Sequence, residues 1–153
     1  MDLDTTDRHM LMLLQKQGRL STTELADHVG LSPSPCARRL KRLEETGIID
    51  GYGARLNVDK IGVGMTIFVQ VSLNNHQAAA IAGFETAIMS MEEVITCHVV
   101  SGVYDYLLEV ANRDLQGYEL FTRKLHRLEH VKDVHTLLAI RRVKGEGVMP
   151  IYV

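Results

Sequence analysis

The sequence predicts an α+β protein in which an N-terminal winged helix-turn-helix precedes a C-terminal ferredoxin-like βαββαβ domain. Three short helical patterns follow one another in the first third of the chain. From Gly62 onward apolar residues alternate, and strands and helices then follow in the order β-α-β-β-α-β. In addition, four cations crowd into the short stretch from Arg38 to Arg42, although the net charge is only −2. The expected domains are a helix-turn-helix over residues 1–49, a wing or linker over 50–61, and the ferredoxin-like domain over 62–153.

The composition is that of a soluble globular protein. Of the 153 residues, 46% are hydrophobic and 24% are charged, and no apolar run approaches the roughly 20 residues that span a bilayer. The first ten residues lack the cationic start and apolar centre of a signal peptide. Cys36 and Cys97 are far apart and form no metal-type pair, which favours free, buried thiols in a reducing compartment. These features predict a cytoplasmic protein.

The first two helices are predicted from their apolar spacing and their caps. The first covers about Thr5 to Lys16, with Asp4 as its N-cap. The second covers about Thr22 to Val29, where Ser21 and Glu24 have the spacing of a capping box.

A third helix follows after a glycine turn. Gly30 ends the second helix and permits a left-handed turn, Ser32 caps the next helix, and Pro33 begins it where a missing N–H costs nothing. Gly47 supplies the stop. Two capped helices joined by such a turn are typical of a helix-turn-helix, whose second helix enters the major groove of DNA.

A helical wheel separates the two faces of this third helix. Cys36, Leu40 and Leu43 face inward, whereas most of the cations face outward. An exposed cationic face is often no more than a solvated surface, but the helix-turn-helix context favours DNA binding. The predicted DNA-binding residues are Ser32, Ser34, Pro35, Arg38, Arg39, Lys41 and Arg42.

The segment after Gly47 has the pattern of a small wing. Residues 48–57, IIDGYGARLN, alternate apolar and polar side chains around two glycines. That pattern predicts a short pair of strands beside the helices.

The C-terminal two thirds predict a ferredoxin-like domain. The expected strands and helices cover about 65–73 (strand), 77–91 (helix), 94–100 and 104–111 (strands), a helix capped by Asp114, and 134–143 (strand). Two helices on one face of an antiparallel sheet leave the other face uncovered. Apolar neighbours such as Leu107–Leu108 and Leu137–Leu138 place apolar side chains on both faces. A second copy is therefore expected to cover the open face, giving a dimer through the sheets.

With these elements in order, the chain resembles the Lrp/AsnC (leucine-responsive, feast/famine) family of transcriptional regulators. The resemblance is carried by LDTTDRHMLMLLQKQGRLS, ELADHVGLSPSPCARRLKRLEETGII, Gly51–Tyr52 and VVSGVYDYLLEV, and it spans nearly the whole chain. It implies a sequence-specific regulator that binds double-stranded DNA, forms homodimers and often octamers or other rings of dimers, and needs no cofactor. It also implies that the C-terminal domain binds a small amino-acid effector at contacts between dimers.

The resemblance assigns the effector site to residues near a Gly-x-x-Asp pattern. The expected effector-binding residues are Gly102, Tyr104, Asp105, Tyr106 and Thr136. An alternative is that Gly102 only makes the hairpin turn and Asp105 only caps it. The protein would then be an architectural or autoregulatory DNA-binding protein without an effector.

Two features depart from the family pattern. The C-terminal sequence KGEGVMPIYV carries the unusual Glu146 and Gly147, and the small polar residues often found near the pocket are replaced by His135 and Leu137. These departures affect the expected subunit contacts of the C-terminal segment and the details of the pocket.

An enzyme is the remote alternative. The sequence HRLEH, with His126, Glu129 and His130, matches the His-x-x-Glu-His pattern of zinc hydrolases. A third ligand would have to come from the last 23 residues, where Glu146 is the candidate, and Arg127 would oppose a dication. No nucleophile–base arrangement is legible. The sequence therefore predicts neither catalytic residues nor a metal site.

Overall fold

The computed structural model describes residues 2–145 and 147–152, and contacts within the chain divide it into two compact units. The first unit contains the chain up to Arg55 together with the C-terminal segment that begins at Lys144. The second unit contains Leu56 to Val143. The sequence-based boundaries place the C-terminal segment with the second unit, whereas in the structure its residues pack with the helices of the first unit.

The first unit is a three-helix domain whose helices have the predicted bounds. They are α1 (Thr5–Lys16), α2 (Thr22–Val29) and α3 (Pro33–Glu45). Asp4 and Asp7 form a capping box at α1, and Ser21 and Glu24 form another at α2. Ser32 occupies the N-cap of α3, but its side chain makes no capping hydrogen bond. The turn between α2 and α3 depends on Gly30, whose φ of 68° favours glycine.

The core of the first unit joins all three helices. Met10 from α1, Leu25 from α2, and Cys36 and Leu43 from α3 are each fully buried. Burial raises the pKa of the Cys36 thiol. Cys97, in the second unit, is exposed, so the expectation of two buried thiols is wrong for that residue. It lies on an edge strand of the sheet, Val94–Val99.

The C-terminal segment completes this unit. Ile151 packs against the helical core. The Gln15 side chain holds the segment at two points, since its Nε2 donates to the Met149 carbonyl at 3.2 Å and its Oε1 accepts from the Met149 N–H at 2.5 Å. Glu146, which the sequence marks as unusual, lies outside the described residues.

The predicted strand pair of the wing is wrong. Residues 50–57 contain no strand, and all of their side chains are exposed. An isolated two-stranded ribbon is marginal in water unless one face is buried, and this segment buries neither face. It leads instead into a single 3₁₀ turn, Val58–Lys60, capped by Asn57.

The second unit has the predicted β-α-β-β-α-β order and the ferredoxin-like topology. Its elements are β1 (Met65–Leu73), α4 (Ala78–Met89), β2 (Val94–Val99), β3 (Tyr106–Asn112), α5 (Leu115–His126) and β4 (Val131–Leu138). The sheet order is β2-β3-β1-β4, and every pair is antiparallel. The buried residues of β1 and β3 alternate along each strand and pack with Phe84, Ile88, Phe121 and Leu125 of the helices.

The last strand lies three residues earlier than predicted at its start. Among the described strands it pairs only with β1, from Val131 opposite Leu73 to Leu138 opposite Ile67. Because β1 begins at Met65, residues beyond Ala139 find no further ladder partner on it. The pairing partner, rather than the apolar pattern of residues 134–143, therefore sets the bounds of β4.

Among the described residues, the structure contains no helix with the length and apolar character needed to cross a membrane.

Candidate nucleic-acid interface and ligand site

The outer face of α3 is the candidate nucleic-acid interface of the first unit. Its N-terminal turn begins at Ser32 and Pro33, and the side chains of Ser34, Arg38 and Lys41 are exposed. Pro35 is half-buried. Cys36 and Leu43 anchor the opposite face in the core. The helix is therefore fixed from behind and offers its first two turns to solvent, as a recognition helix requires.

Two of the predicted cations contact carboxylates at the start of α1. Arg39 Nη1 lies 2.6 Å from Asp4 Oδ2 and 2.9 Å from Asp7 Oδ1. Arg42 Nη2 lies 2.5 Å from Asp7 Oδ2. These hydrogen bonds to Asp4 and Asp7 raise the pKa of the Arg39 guanidinium. The four cations of α3 are thus not equivalent, since two already neutralise acids within their own unit.

The other two cations are more available. Lys41 makes an exposed pair with Glu45 of the same helix, at 3.5 Å, and such a pair contributes little in water. Within residues 2–145 and 147–152, Arg38 has no ion pair or side-chain hydrogen bond. Arg38 and Lys41 are therefore the cations of α3 that are free to meet an incoming anion.

Asp7 is a buried, ion-paired acid that the sequence reasoning missed. With Met10, Leu11 and Leu14 it occupies the i, i+3, i+4, i+7 stripe of α1, and its side chain is only 1% exposed. A carboxylate at a buried position needs cationic partners. The signal was present in the sequence, because an acid at the first position of an apolar stripe predicts such a pairing.

The candidate ligand site of the second unit is the loop that precedes β3. Gly102 has a φ of 132°, a conformation that favours glycine, and a Cβ added there would meet no atom within 4 Å. The backbone of Asp105 is fixed at both ends, because its carbonyl accepts from Val100 N–H at 2.9 Å and its N–H donates to Val71 at 2.9 Å. Gly102, Tyr104 and Asp105 are thus brought together on one short loop.

The Asp105 carboxylate already has two partners. Oδ2 accepts from Leu73 N–H at 2.7 Å, and Oδ1 lies 2.9 Å from His76 Nε2. The Leu73 N–H, and secondarily His76, lower the pKa of Asp105. His76 was missed because it lies 29 residues before Asp105 in the chain, and only the strand pairing brings the two together.

The other two predicted effector residues, Tyr106 and Thr136, make contacts on the helix-covered face of the sheet. Tyr106 is 3% exposed, packs on Phe84 with ring centroids 4.6 Å apart, and donates to Glu85 Oε1 at 3.0 Å. Burial and that acceptor raise the pKa of Tyr106 to about 12. Thr136 hydrogen-bonds the Tyr118 hydroxyl of α5. The geometry thus gives Tyr106 a packing role and places Thr136 toward the helices.

His135 lies on the opposite face of β4 from Thr136. Its ring stacks with Tyr104, with centroids 6.0 Å apart. Gln70 of β1 lies opposite His135 of β4 on one side and opposite Leu107 of β3 on the other. Phe68 of β1 lies opposite Leu137 of β4. The open face of the sheet therefore combines apolar and polar side chains beside the Tyr104 end of the loop.

The zinc-hydrolase motif does not have the geometry of a zinc site. Helix α5 ends at His126, and His130 has a φ of 73°, so the two histidines are not one helical turn apart. His126 Nδ1 is 2.8 Å from the Thr122 carbonyl. Over the described ranges, no group of three histidine, cysteine or acidic side chains is placed to hold a metal ion.

Comparisons with known proteins agree with this two-unit arrangement. Residues 3–50 match a family model described as winged helix-turn-helix DNA-binding, and residues 66–149 match one described as Lrp/AsnC ligand binding domain. The leucine-responsive regulatory protein of Escherichia coli K12 is 42% identical over 144 residues, which cover 94% of this chain and 88% of that protein.

Two solved structures are similar over nearly their whole length. A transcriptional regulator of Neisseria meningitidis in complex with L-Met has 34% identity, covers 97% of both chains and superposes with a TM-score of 0.94. An AsnC family transcriptional regulator of Agrobacterium tumefaciens has 32% identity, the same coverage and a TM-score of 0.91. These matches confirm the predicted fold class and exclude the enzyme alternative. The chain belongs to the Lrp/AsnC family of DNA-binding transcriptional regulators, with a winged helix-turn-helix domain and a ligand-binding domain.

Proposed function

We propose that this regulator binds operator DNA as a dimer, with α3 of each subunit in a major groove, and that an amino acid bound near Gly102 modulates its assembly. The observation that carries the DNA part is Arg38 on the second helix of the helix-turn-helix, which is exposed and has no ion pair with any described residue. In this motif the first turns of the second helix contact base edges.

The residues of α3 have distinct roles in this proposal. Ser34, Pro35 and Arg38 lie on the first turns and contact bases, where an arginine fork matches the acceptors of guanine. Lys41, one turn further along, contacts phosphate, as does Ser32 at the N-terminus of the helix. Arg39 and Arg42 were predicted to join them, but their contacts with Asp4 and Asp7 compete with any phosphate.

The DNA part is tested with Arg38→Ala and a matched cation. Lys16 is exposed and lies at the opposite end of α1 from Asp4 and Asp7, so Lys16→Ala removes one positive charge away from α3. On a DNA site selected in vitro by the wild-type protein, Arg38→Ala should weaken binding by tenfold or more, whereas Lys16→Ala should not. Equal affinity for wild type and Arg38→Ala would contradict the proposal.

The dimer part is supported by the open face of the sheet. Leu137 of β4 is 45% exposed and lies opposite Phe68 of β1. Leu107 of β3 lies on the same face of the sheet. A sheet face that carries such side chains is normally covered, and a second copy covers it with closed symmetry. Light scattering at micromolar concentration should give at least a dimer, and Leu137→Asp should shift the mass toward the monomer. A monomeric wild-type protein would contradict this part.

The effector part is supported by the loop geometry and by the similar N. meningitidis regulator, whose structure contains L-Met. Gly102 leaves room beside the backbone, and the Asp105 oxygens keep lone pairs that an ammonium group can use. An amino acid that binds the folded state raises its melting temperature. A thermal shift with methionine or leucine that is lost in Asp105→Ala supports the site. No shift with any amino acid supports the alternative of a DNA-binding protein without an effector.

A further inference from the structure

The acids at the start of α1 are coupled to the recognition helix. Asp7 is 1% exposed, and each of its carboxylate oxygens contacts a different arginine of α3. Asp4 is half exposed and binds the same Arg39 atom that contacts Asp7. Both acids also form the capping box of α1, so the helix backbone fixes their positions.

This arrangement makes the release of Arg39 or Arg42 unfavourable. A guanidinium that moved to a DNA phosphate would leave the buried Asp7 carboxylate with fewer partners in a low-dielectric site. The Asp4 and Asp7 hydrogen bonds raise the pKa of Arg39, which agrees with a cation that is stabilised where it is. Two of the four cations of α3 are therefore restrained within the protein.

Phosphate contacts are the main source of sequence-independent affinity. Each neutralised phosphate releases counterions. It makes the negative slope of the logarithm of the binding constant against the logarithm of the salt concentration steeper by about 0.9. A recognition helix with four free cations would bind any duplex more tightly. The base contacts that distinguish one sequence from another would then supply a smaller share of the total binding free energy. Restraining two cations leaves discrimination to the base-contacting residues.

We propose that Asp4 and Asp7 are specificity-determining residues, which bind Arg39 and Arg42 and so keep the affinity of α3 for non-specific DNA low. The proposal rests on the proposed role of α3 as the recognition helix. It assigns to the N-terminal acids a role in DNA selection in addition to helix capping.

The test uses the full-length protein and a random-sequence duplex as the probe. Asp4→Asn removes the charge but keeps a good N-cap residue, so α1 should remain folded. Asp50→Asn is the control, because Asp50 is an exposed acid of the same unit that contacts neither Arg39 nor Arg42. Circular dichroism of both variants checks the fold.

The expected result is tighter binding of Asp4→Asn to random DNA at about 0.1 M salt. The salt slope should be steeper by a fraction of about 0.9, because Asp7 still contacts Arg39 in this variant. Asp50→Asn should match the wild type in slope. Asp7→Asn should show a larger change if it folds, and Asp4→Asn provides the test on its own if it does not. The double variant Asp4→Asn/Arg39→Gln should return to the wild-type slope, because the released cation is gone.

Two results would overturn the proposal. One is that Asp4→Asn and Asp50→Asn have the same slope, and the other is that the double variant keeps the gain. Failure of the recognition-helix role is a separate result, since it would appear as an unchanged affinity of Arg38→Ala for the selected site. The two failures are therefore distinguishable in one set of titrations.

Discussion

Arg39 Nη1 lies 2.9 Å from Oδ1 of Asp7, and this contact joins the third helix of the first unit to its first helix. Asp7 occupies a position of α1 that would otherwise hold an apolar residue, in line with the fully buried Met10. The Arg39 side chain is 30% exposed, so the pair lies at the edge of the core. Arg39, which the cationic pattern of α3 assigns to DNA, thus also joins α3 to α1.

Replacement of Asp7 should therefore destabilise the protein. Asp7→Ala removes two charge-assisted hydrogen bonds and one half of a capping box. We expect the free energy of unfolding to fall by about 1 to 3 kcal/mol, because the two part-exposed guanidiniums can turn to water. Urea unfolding measures this free energy. Asp50→Ala is the control, and its free energy of unfolding should lie within about 0.5 kcal/mol of the wild type. Equal stability of the two variants would show that the ion pairs contribute nothing.

The C-terminal segment should stabilise the helical unit. Ile151 is half-buried against the core of α1–α3, so Ile151→Ala should cost about 1 to 2 kcal/mol, less than a fully buried isoleucine. Ile140→Ala is the matched control, because Ile140 is 94% exposed. Thermal unfolding of both variants compares the two sites. A melting temperature for Ile151→Ala equal to that of Ile140→Ala would contradict the packing of this segment.

Stability should fall in acid. Among the described residues, four carboxyls have a pKa below the ordinary value. Backbone N–H donors lower the pKa of Asp4 and Asp105, with smaller effects of Arg39 and His76 respectively. Ser21 lowers the pKa of Glu24, and Lys124 lowers that of Glu93. Because folding lowers these pKa values, their contribution is complete above the unfolded values of 3.8 to 4.5 and is lost as the pH falls through the lower folded values.

Urea unfolding at pH 6 and pH 3 measures this loss. Glu93→Gln should reduce the difference in the free energy of unfolding between pH 6 and pH 3, because one of the four groups no longer titrates. A free energy of unfolding that stays constant or rises toward pH 3 would contradict the assignment.

Tyr106 distinguishes a packing role from a ligand contact. Its hydroxyl donates to Glu85 while its ring is buried against Phe84, so Tyr106→Phe should lower the free energy of unfolding by about 1 kcal/mol. If the role is packing, Tyr106→Phe keeps the thermal shift caused by an amino acid, whereas Tyr104→Ala weakens it. Loss of that shift in Tyr106→Phe, with the fold intact, would restore Tyr106 to the effector site.

Local patterns predicted the helices well because their ends depend on nearby residues. The capping boxes at Asp4 and Ser21 and the glycine at position 30 lie next to the ends that they determine. The order of the second unit followed from its change of period at Gly62. The bounds of β1 and β2 were also predicted to within a residue. Those of β4 were not, because β4 is bounded by its partner β1, and no strand pair forms at 50–57, because that segment lacks a partner in the described chain.

The candidate sites were predictable only in part for the same reason. The loop residues Gly102 and Asp105 are neighbours in sequence, so a short motif finds them. His76 reaches Asp105 only through the pairing of β1 with β3, and a helical wheel of α3 alone cannot show that Arg39 and Arg42 face two acids of α1.

The most direct test of the account compares Arg38→Ala and Lys41→Ala on a selected DNA site and on variants of that site with single base-pair changes. If the outer face of α3 lies in the major groove, Arg38→Ala costs about 1 to 3 kcal/mol and removes the preference at one base pair. Lys41→Ala then weakens all sequences equally and lowers the salt slope by about 1. If neither variant changes affinity or preference at any base pair, α3 is not the recognition helix of this regulator.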